Sequence, residues 1–319
     1  MTAAGSQGVR CRFDRAINYL RISVTDRCNL RCVYCMPETG VRKLSHDEIL
    51  RLEEIVEVAR EAAALGLTKI RVTGGEPLVR RDVTALVNDL ASLPGVETVA
   101  MTTNGLLLPA MAFGLKAAGL KRVNISLDSL APGLYRASTR GGDVTLVLAG
   151  IEAALAAGFE VKVNAVLLET TAPSIAGFLK FSRDAGVEVR FIERMNFEKG
   201  TVRFSEEDAL ALLCLDSPLT PLPRDPASPH VRRFACGGAR LGFISPLSHP
   251  FCAACNRLRL TSEGTLRSCL ASKNGVDVRT VLRRPHTARE VAAAILDAVA
   301  EKPAMAKWGE QAQMWRMGG

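Results

Sequence analysis

Polar and apolar residues alternate from Tyr19 to Val24, and the same period of two returns near Lys69 to Thr73, Thr98 to Thr102, Arg122 to Leu127, Val161 to Leu167 and Glu188 to Ile192. That period predicts β-strands. Between them the apolar spacing lengthens to that of amphipathic helices, expected from Ser45 to about Leu65 and near Asp82 to Ser92, Leu108 to Ala117, Val144 to Ala157 and Ile175 to Ala185. Ser45, with Glu48 three residues later, reads as a capping box opening the first of these. Six βα-type repeats predict a parallel sheet, here a partial (βα)6 TIM-type barrel of the α/β class.

Because side chains alternate along a strand, five strands carry one polar face: Arg21/Ser23/Thr25, Lys69/Arg71/Thr73, Asn124/Ser126/Asp128, Lys162/Asn164 and Glu188/Arg190. A closed eight-stranded barrel fills its lumen with branched apolar side chains. The cationic set here predicts an open barrel with a wet, anion-binding lumen. The alternative is that these faces meet bulk solvent, although parallel strands are usually covered on both sides. Beyond Met195 the βα rhythm stops, and prolines crowd the stretch from Asp216 to Pro229. The expected organisation is a barrel over 1–195, a linker and connecting helix over 196–229, and a C-terminal cysteine-bearing region over 230–319 with a helix from Thr287 to Ala300.

Composition narrows the class. With 319 residues, 48% hydrophobic and 23% charged, the chain is long and apolar enough for a buried core, which argues against disorder. No apolar run is long enough to span a membrane and no signal peptide is evident, so a cytoplasmic location is expected. A net charge of +8 favours a polyanionic partner, while 5% aromatics disfavour a binder of single-stranded nucleic acid. Nine cysteines in such a chain read as metal ligands or redox groups rather than structural disulfides.

Cys28, Cys32 and Cys35 form a C-x-x-x-C-x-x-C run directly after the first strand. Three thiolates on one loop can hold three irons of a four-iron, four-sulfur cluster and leave the fourth iron open. A zinc site would need a fourth ligand, and His46 is the only nearby histidine. The loop resembles that of the radical S-adenosylmethionine enzymes, and Gly74-Gly75-Glu76-Pro77 resembles their second motif. In that superfamily the open iron chelates S-adenosylmethionine, and the reduced cluster cleaves it to methionine and a 5'-deoxyadenosyl radical. The aromatic before the third cysteine, here Tyr34, lies by the adenine.

A second set, Cys252, Cys255 and Cys269, brackets a basic strand, with Arg257 and Arg259 on one face beside Cys255. Two guanidiniums suit an anion approaching the metal. A zinc ribbon with Cys236 as fourth ligand stays open on these residues alone. Both sets, their order, Leu20 to Asn29, Lys69-Ile70-Arg71, Thr102 to Gly105, Asn124 to Asp128, Arg190 to Glu193 with Met195, and the terminal Gly318-Gly319 closely resemble the GTP 3',8-cyclase family of molybdenum cofactor biosynthesis.

The resemblance implies two 4Fe-4S clusters, on Cys28, Cys32 and Cys35 and on Cys252, Cys255 and Cys269, with S-adenosylmethionine beside Tyr34, Gly75, Ser126 and Met195. It implies GTP beside Arg21, Lys69, Arg71, Thr102, Lys162, Arg257 and Arg259, with Arg190 added by strand alternation and catalysis resting on Arg21, Arg257 and Arg259. The implied partners are GTP, an electron donor such as flavodoxin or ferredoxin, a downstream cyclic pyranopterin monophosphate synthase and a possible second copy in a homodimer, with neither nucleic acid nor membrane. The Gly-Gly tail is expected in the active site, and Cys11, Cys214 and Cys236 as ordinary thiols. The family commonly has Phe-Gly-Arg where this chain has Phe13-Asp14-Arg15. The rival readings are a radical enzyme with an auxiliary cluster acting on a peptide, and a zinc-ribbon nucleic-acid-binding protein.

Overall fold

The computed structural model describes residues 8–170, 172–195, 204–213, 218–225 and 228–308. Its first half alternates strand and helix: β1 (Tyr19–Ser23), α1 (Leu52–Ala64), β2 (Lys69–Thr73), α2 (Val83–Ala91), β3 (Thr98–Thr103), α3 (Leu108–Ala117) and β4 (Arg122–Ser126). Two helices follow, α4 (Pro132–Thr139) and α5 (Val144–Ala156), then β5 (Glu160–Leu167), α6 (Ile175–Ala185) and β6 (Glu188–Glu193). The remainder comprises α7 (Glu206–Leu213), β7 (Thr220–Leu222), β8 (Arg232–Cys236), β9 (Ala239–Ile244), β10 (Arg257–Leu260), β11 (Thr265–Arg267), β12 (Val276–Asp277), α8 (Arg279–Leu282) and α9 (Ala288–Ala300).

The twelve strands of the described residues join one sheet, in the order β12-β11-β10-β1-β2-β3-β4-β5-β6-β9-β8-β7. The expected six parallel strands form its centre. β10 extends them beside β1 and β9 beside β6, both in parallel, and antiparallel strands finish each end. The sheet is therefore an open, TIM-like wall. Pro221 sits in β7, an edge strand, where its missing N–H costs no ladder bond. Ile55, Val58, Ala59 and Ala62 repeat at helical spacing on α1 and are buried in the core beneath the outer sheet face.

Two local expectations are corrected. Ser45 and Glu48 do form a hydrogen-bonded turn, Ser45 N–H donating to Glu48 Oε2 at 2.9 Å, but the helix starts only at Leu52. There Arg51 N–H donates to Glu54 Oε2 at 2.7 Å, and Glu54 is held by Arg283 from the far end of the chain. A tertiary contact thus decides where the helix begins. Helix α4 was absent from the predicted pattern, and it opens on Pro132-Gly133, a dipeptide more common in turns. Pro is nonetheless favoured in a first helical turn, and buried Tyr135 secures this helix in the core.

Asp14 replaces the glycine of the related pattern at φ +59°, in the left-handed region. Aspartate tolerates this better than most residues. Its N–H closes a turn onto Cys11 O at 2.8 Å, which leaves Arg15 directed towards the second cysteine group.

Candidate functional site

Two cavities lie along the inner face of the sheet. The smaller, about 190 Å³, is bordered by Cys28, Cys32 and Cys35 together with Tyr34, Gly75, Ser126 and Met195. The strand ends and their following loops build it. No side chain fits at Gly75, where a Cβ would run into the backbone carbonyl of Arg27, so the Gly-Gly pair seats its loop on the cysteine loop. Gly75 N–H donates to Thr25 O at 2.7 Å and Glu76 N–H to Arg27 O at 2.8 Å.

Glu76 completes the acidic part of that Gly-Gly-Glu-Pro motif. It is buried, and its carboxylate accepts from Leu78 N–H at 2.9 Å, Thr103 Oγ1 at 2.7 Å and Asn104 N–H at 2.7 Å. It ties the loop after β2 to the end of β3. Burial pushes its pKa up to about 7 against those hydrogen bonds. Asp128, also buried, accepts from Tyr34 Oη at 2.9 Å and Val166 N–H at 3.0 Å, and burial raises it to about 6. Burial likewise raises all three thiols, reinforced by Glu76 at Cys28 and by Asp128 and the neighbouring thiols at Cys32 and Cys35, the last reaching about 12. Three thiolates here would need cationic compensation, which the irons of a cluster would supply.

The larger cavity, about 290 Å³, is bordered by Cys252, Cys255 and Cys269 and by the inward faces of β1 to β6 and β10. Arg21, Lys69, Arg71, Thr102, Lys162, Arg190, Arg257 and Arg259 all border it. The two predicted cation sources, strand alternation and the Arg-x-Arg of β10, therefore meet. In the parallel register Arg21 lies between Arg71 and Arg259, so three guanidiniums run across adjacent strands. Arg257 and Arg259 are lowered by burial, and Arg259, with Arg257 beside it, falls to about 10. Among the described residues, Arg259 Nη1 is buried without a hydrogen-bond partner, a donor suited to an anion.

Other cations are already engaged. Arg190 Nε donates to Glu188 Oε1 at 2.5 Å, while Lys162 lies 2.9 Å from Glu160 and 3.7 Å from Asp225. Thr102, Asn164, Ile192 and Met195 border both cavities, so the two spaces adjoin there.

His46 is exposed and borders neither cavity, and Cys236 is buried in β8 away from both. Each cavity thus offers three cysteines, a donor set that fits a four-iron cluster with one open iron. Among the described residues no three His, Cys, Asp or Glu side chains are grouped closely enough for a single metal ion. Cys214 and the Gly318-Gly319 tail lie outside the described residues.

The Radical SAM superfamily profile matches residues 22–181, and that of Molybdenum Cofactor Synthesis C matches 187–308. The chain is 48% identical over 300 residues to a GTP 3',8-cyclase of Moorella thermoacetica, covering 92% of this chain and 93% of the relative. It is 45% identical over 322 residues to one of Pelotomaculum thermopropionicum, covering 96% and 99%. The chain belongs to the GTP 3',8-cyclase family. Among solved structures, Streptococcus suis SuiB bound to S-adenosylmethionine superposes with a TM-score of 0.63 at 16% identity, over 90% of this chain and 66% of that one. At that identity the likeness concerns the fold, and this chain spans just under two thirds of the SuiB length.

In this family member two cavity residues, Tyr19 and His230, escaped the motif reading. Tyr19 Oη accepts from Arg71 Nε, whose Nη1 also donates to Met101 O at 3.1 Å. The alternation containing Arg21 already turned Tyr19 inward, so that signal was present. His230 borders the larger cavity with its ring 5.3 Å from that of Phe251, and burial, aided by Arg257, Arg190, Arg21 and Arg71, depresses its pKa strongly. Its position after a proline-rich stretch gave no signal.

Proposed function

We propose that the protein is a GTP 3',8-cyclase, a radical lyase that converts GTP to (8S)-3',8-cyclo-7,8-dihydroguanosine 5'-triphosphate in molybdenum cofactor biosynthesis. The observation that carries this reading is the adjoining pair of cavities, each with its own cysteine triad and only one rich in arginine. Cys28, Cys32 and Cys35 would hold the first cluster, which together with S-adenosylmethionine would supply the radical chemistry needed for hydrogen abstraction at C3' of the ribose.

The chain's own residues bind, orient and enclose. Tyr34, Gly75, Ser126 and Met195 hold S-adenosylmethionine in the smaller cavity, with Met195 at its seam with the larger one. Arg21, Lys69, Arg71, Thr102, Lys162, Arg190, Arg257 and Arg259 hold GTP, their charges meeting the triphosphate's roughly four negative charges. Arg21, Arg257 and Arg259 keep the reacting end in register, with Cys252, Cys255 and Cys269 carrying the second cluster. Fixing ribose and guanine in one pose replaces the entropy of their encounter with binding contacts. Enclosure by the wall keeps water from the radical.

The division into 1–195, 196–229 and 230–319 and a cytoplasmic location belong to the same reading, as do a flavodoxin- or ferredoxin-type donor, a downstream cyclic pyranopterin monophosphate synthase and a homodimer. Among the described residues no helix is long and apolar enough to cross a membrane. The test is anaerobic incubation with GTP, S-adenosylmethionine and a reductant, followed by product analysis. Cyclised GTP with equimolar 5'-deoxyadenosine is expected. 5'-Deoxyadenosine formed equally with and without GTP, and no cyclised nucleotide, would overturn the assignment.

A further inference from the structure

Lys302 follows α9 and is only 2% exposed, which is unusual for an ammonium. Its Nζ donates to Arg257 O and to Ser268 O, each at 2.7 Å. Burial, with Arg15, lowers its pKa, and the side chains of Cys255 and Cys269 are the groups whose negative charge would oppose this. Two carbonyls thus take up two of the three donors of an ammonium, with the cysteine sulfurs on the same side. The contacts also have a spatial logic. Arg257 O lies two residues after Cys255 and Ser268 O immediately before Cys269, so one side chain spans both cysteine-bearing segments.

The chain around Lys302 completes the grip. Ala306 N–H donates to Cys252 Sγ at 3.3 Å, and Arg15 donates to Cys252 O and to Pro303 O, each at 2.7 Å. Residues 302–306 therefore contact the surroundings of all three cysteines. A buried ammonium needs an anion nearby. Here the compensating charge comes from cysteine sulfur, which carries it when it ligates metal.

We infer that Lys302 is a positioning residue that clasps the second cysteine group and provides the fixed positive charge that favours the reduced state of its cluster. This rests on the reading that Cys252, Cys255 and Cys269 hold a four-iron cluster. Such a cluster gains one unit of negative charge on reduction, and a neighbouring ammonium stabilises that added charge. Arg21, Arg257 and Arg259 face the cavity for substrate, whereas Lys302 grips the backbone behind it.

The experiment uses the full chain carrying C28A, C32A and C35A, so that only the second cluster is present, reconstituted anaerobically. Iron and sulfide are measured, and the cluster is titrated reductively by electron paramagnetic resonance. K302M should lower the reduced-to-oxidised ratio at fixed potential by about tenfold, or lose iron while the chain keeps its folded circular dichroism. K302R should restore iron content and the greater part of the ratio. Unchanged iron and an unchanged midpoint in K302M would overturn the inference while leaving the cluster reading intact. Should the parent with Lys302 hold no iron and sulfide, the cluster reading fails, and the inference falls with it.

Discussion

At Cys28, Cys32 and Cys35 burial raises the thiols and nearby Glu76 or Asp128 raises them further, whereas at Cys255 burial is outweighed by Lys302, Arg257 and Arg259 and the thiol is lowered. The same donor type thus sits in two opposite fields within one wall. S-adenosylmethionine carries a sulfonium and an ammonium, while GTP is a polyanion. Two adjoining cavities of opposite electrostatic character can therefore separate the two ligands without separate domains. The shared border at Thr102, Asn164, Ile192 and Met195 is where they would meet.

The largest test removes one side at a time. With both clusters loaded, about eight irons per chain are expected. Replacing Cys28, Cys32 and Cys35 by Ala should halve the iron and abolish cleavage of S-adenosylmethionine. Replacing Cys252, Cys255 and Cys269 should also halve it but leave cleavage measurable and eliminate cyclised GTP. Stoichiometric zinc without sulfide in anaerobic protein would falsify the two-cluster account.

The next test grades the cations by their existing partners. Among the described residues Arg259 has a buried donor without a partner, while Lys162 already lies between Glu160 and Asp225. Arg259→Ala should weaken GTP binding by about tenfold to a hundredfold, the loss of a charge-assisted hydrogen bond. Lys162→Ala should cost only a few-fold, with both clusters loaded. Equilibrium binding of GTP decides it, and equal losses would show that net charge, not partner availability, governs the cavity.

Glu76 tests whether the acidic side is an electrostatic device or a brace. Its two oxygens accept from two N–H groups and one hydroxyl, so Glu76→Gln would turn an amide N–H against at least one of these donors. A loss of about 2 kcal/mol in stability is expected from thermal unfolding. The raised pKa gives a second readout. Glu76 is about 4.5 when unfolded and about 7 when folded, so its contribution is full below pH 4.5 and is lost as pH rises through 7. The slope over that window should flatten in Glu76→Gln.

What the sequence disclosed follows how far its signals reach along the chain. Cys28, Cys32 and Cys35 lie on one loop and Arg257-x-Arg259 on one strand, so spacing alone groups them. Alternation also turned Arg21, Lys69, Arg71 and Lys162 inward, as their common cavity bears out. The pairing of β10 with β1 and β9 with β6 joins segments far apart in the chain, and no local period encodes it. Lys302 was equally hidden, since its importance comes from carbonyls 45 and 34 residues away. Glu76 was visible within its motif, but its three donors were not.

The smallest expected effect concerns Tyr19, a phenol within the basic cavity. Burial raises its pKa, yet Arg71, Arg21 and Arg257 together outweigh burial and bring it down to about 8. Its hydroxyl oxygen already accepts from Arg71. Ionisation would leave a negative charge beside the guanidiniums proposed to meet the triphosphate, so GTP and the phenolate would compete for the same cations. By linkage, bound GTP raises the Tyr19 pKa, and GTP affinity falls as pH rises through 8. The sign for folding is opposite: the lowered pKa adds stability at pH above 10 that is lost as pH falls through 8. Equilibrium binding at pH 7 and pH 9 should show affinity falling roughly threefold, and Tyr19→Phe should remove that fall. Ultraviolet absorbance should show the corresponding phenolate step near pH 8, absent from Tyr19→Phe and shifted upwards by GTP. If that step stays put with GTP bound, Tyr19 lies outside the field of the triphosphate.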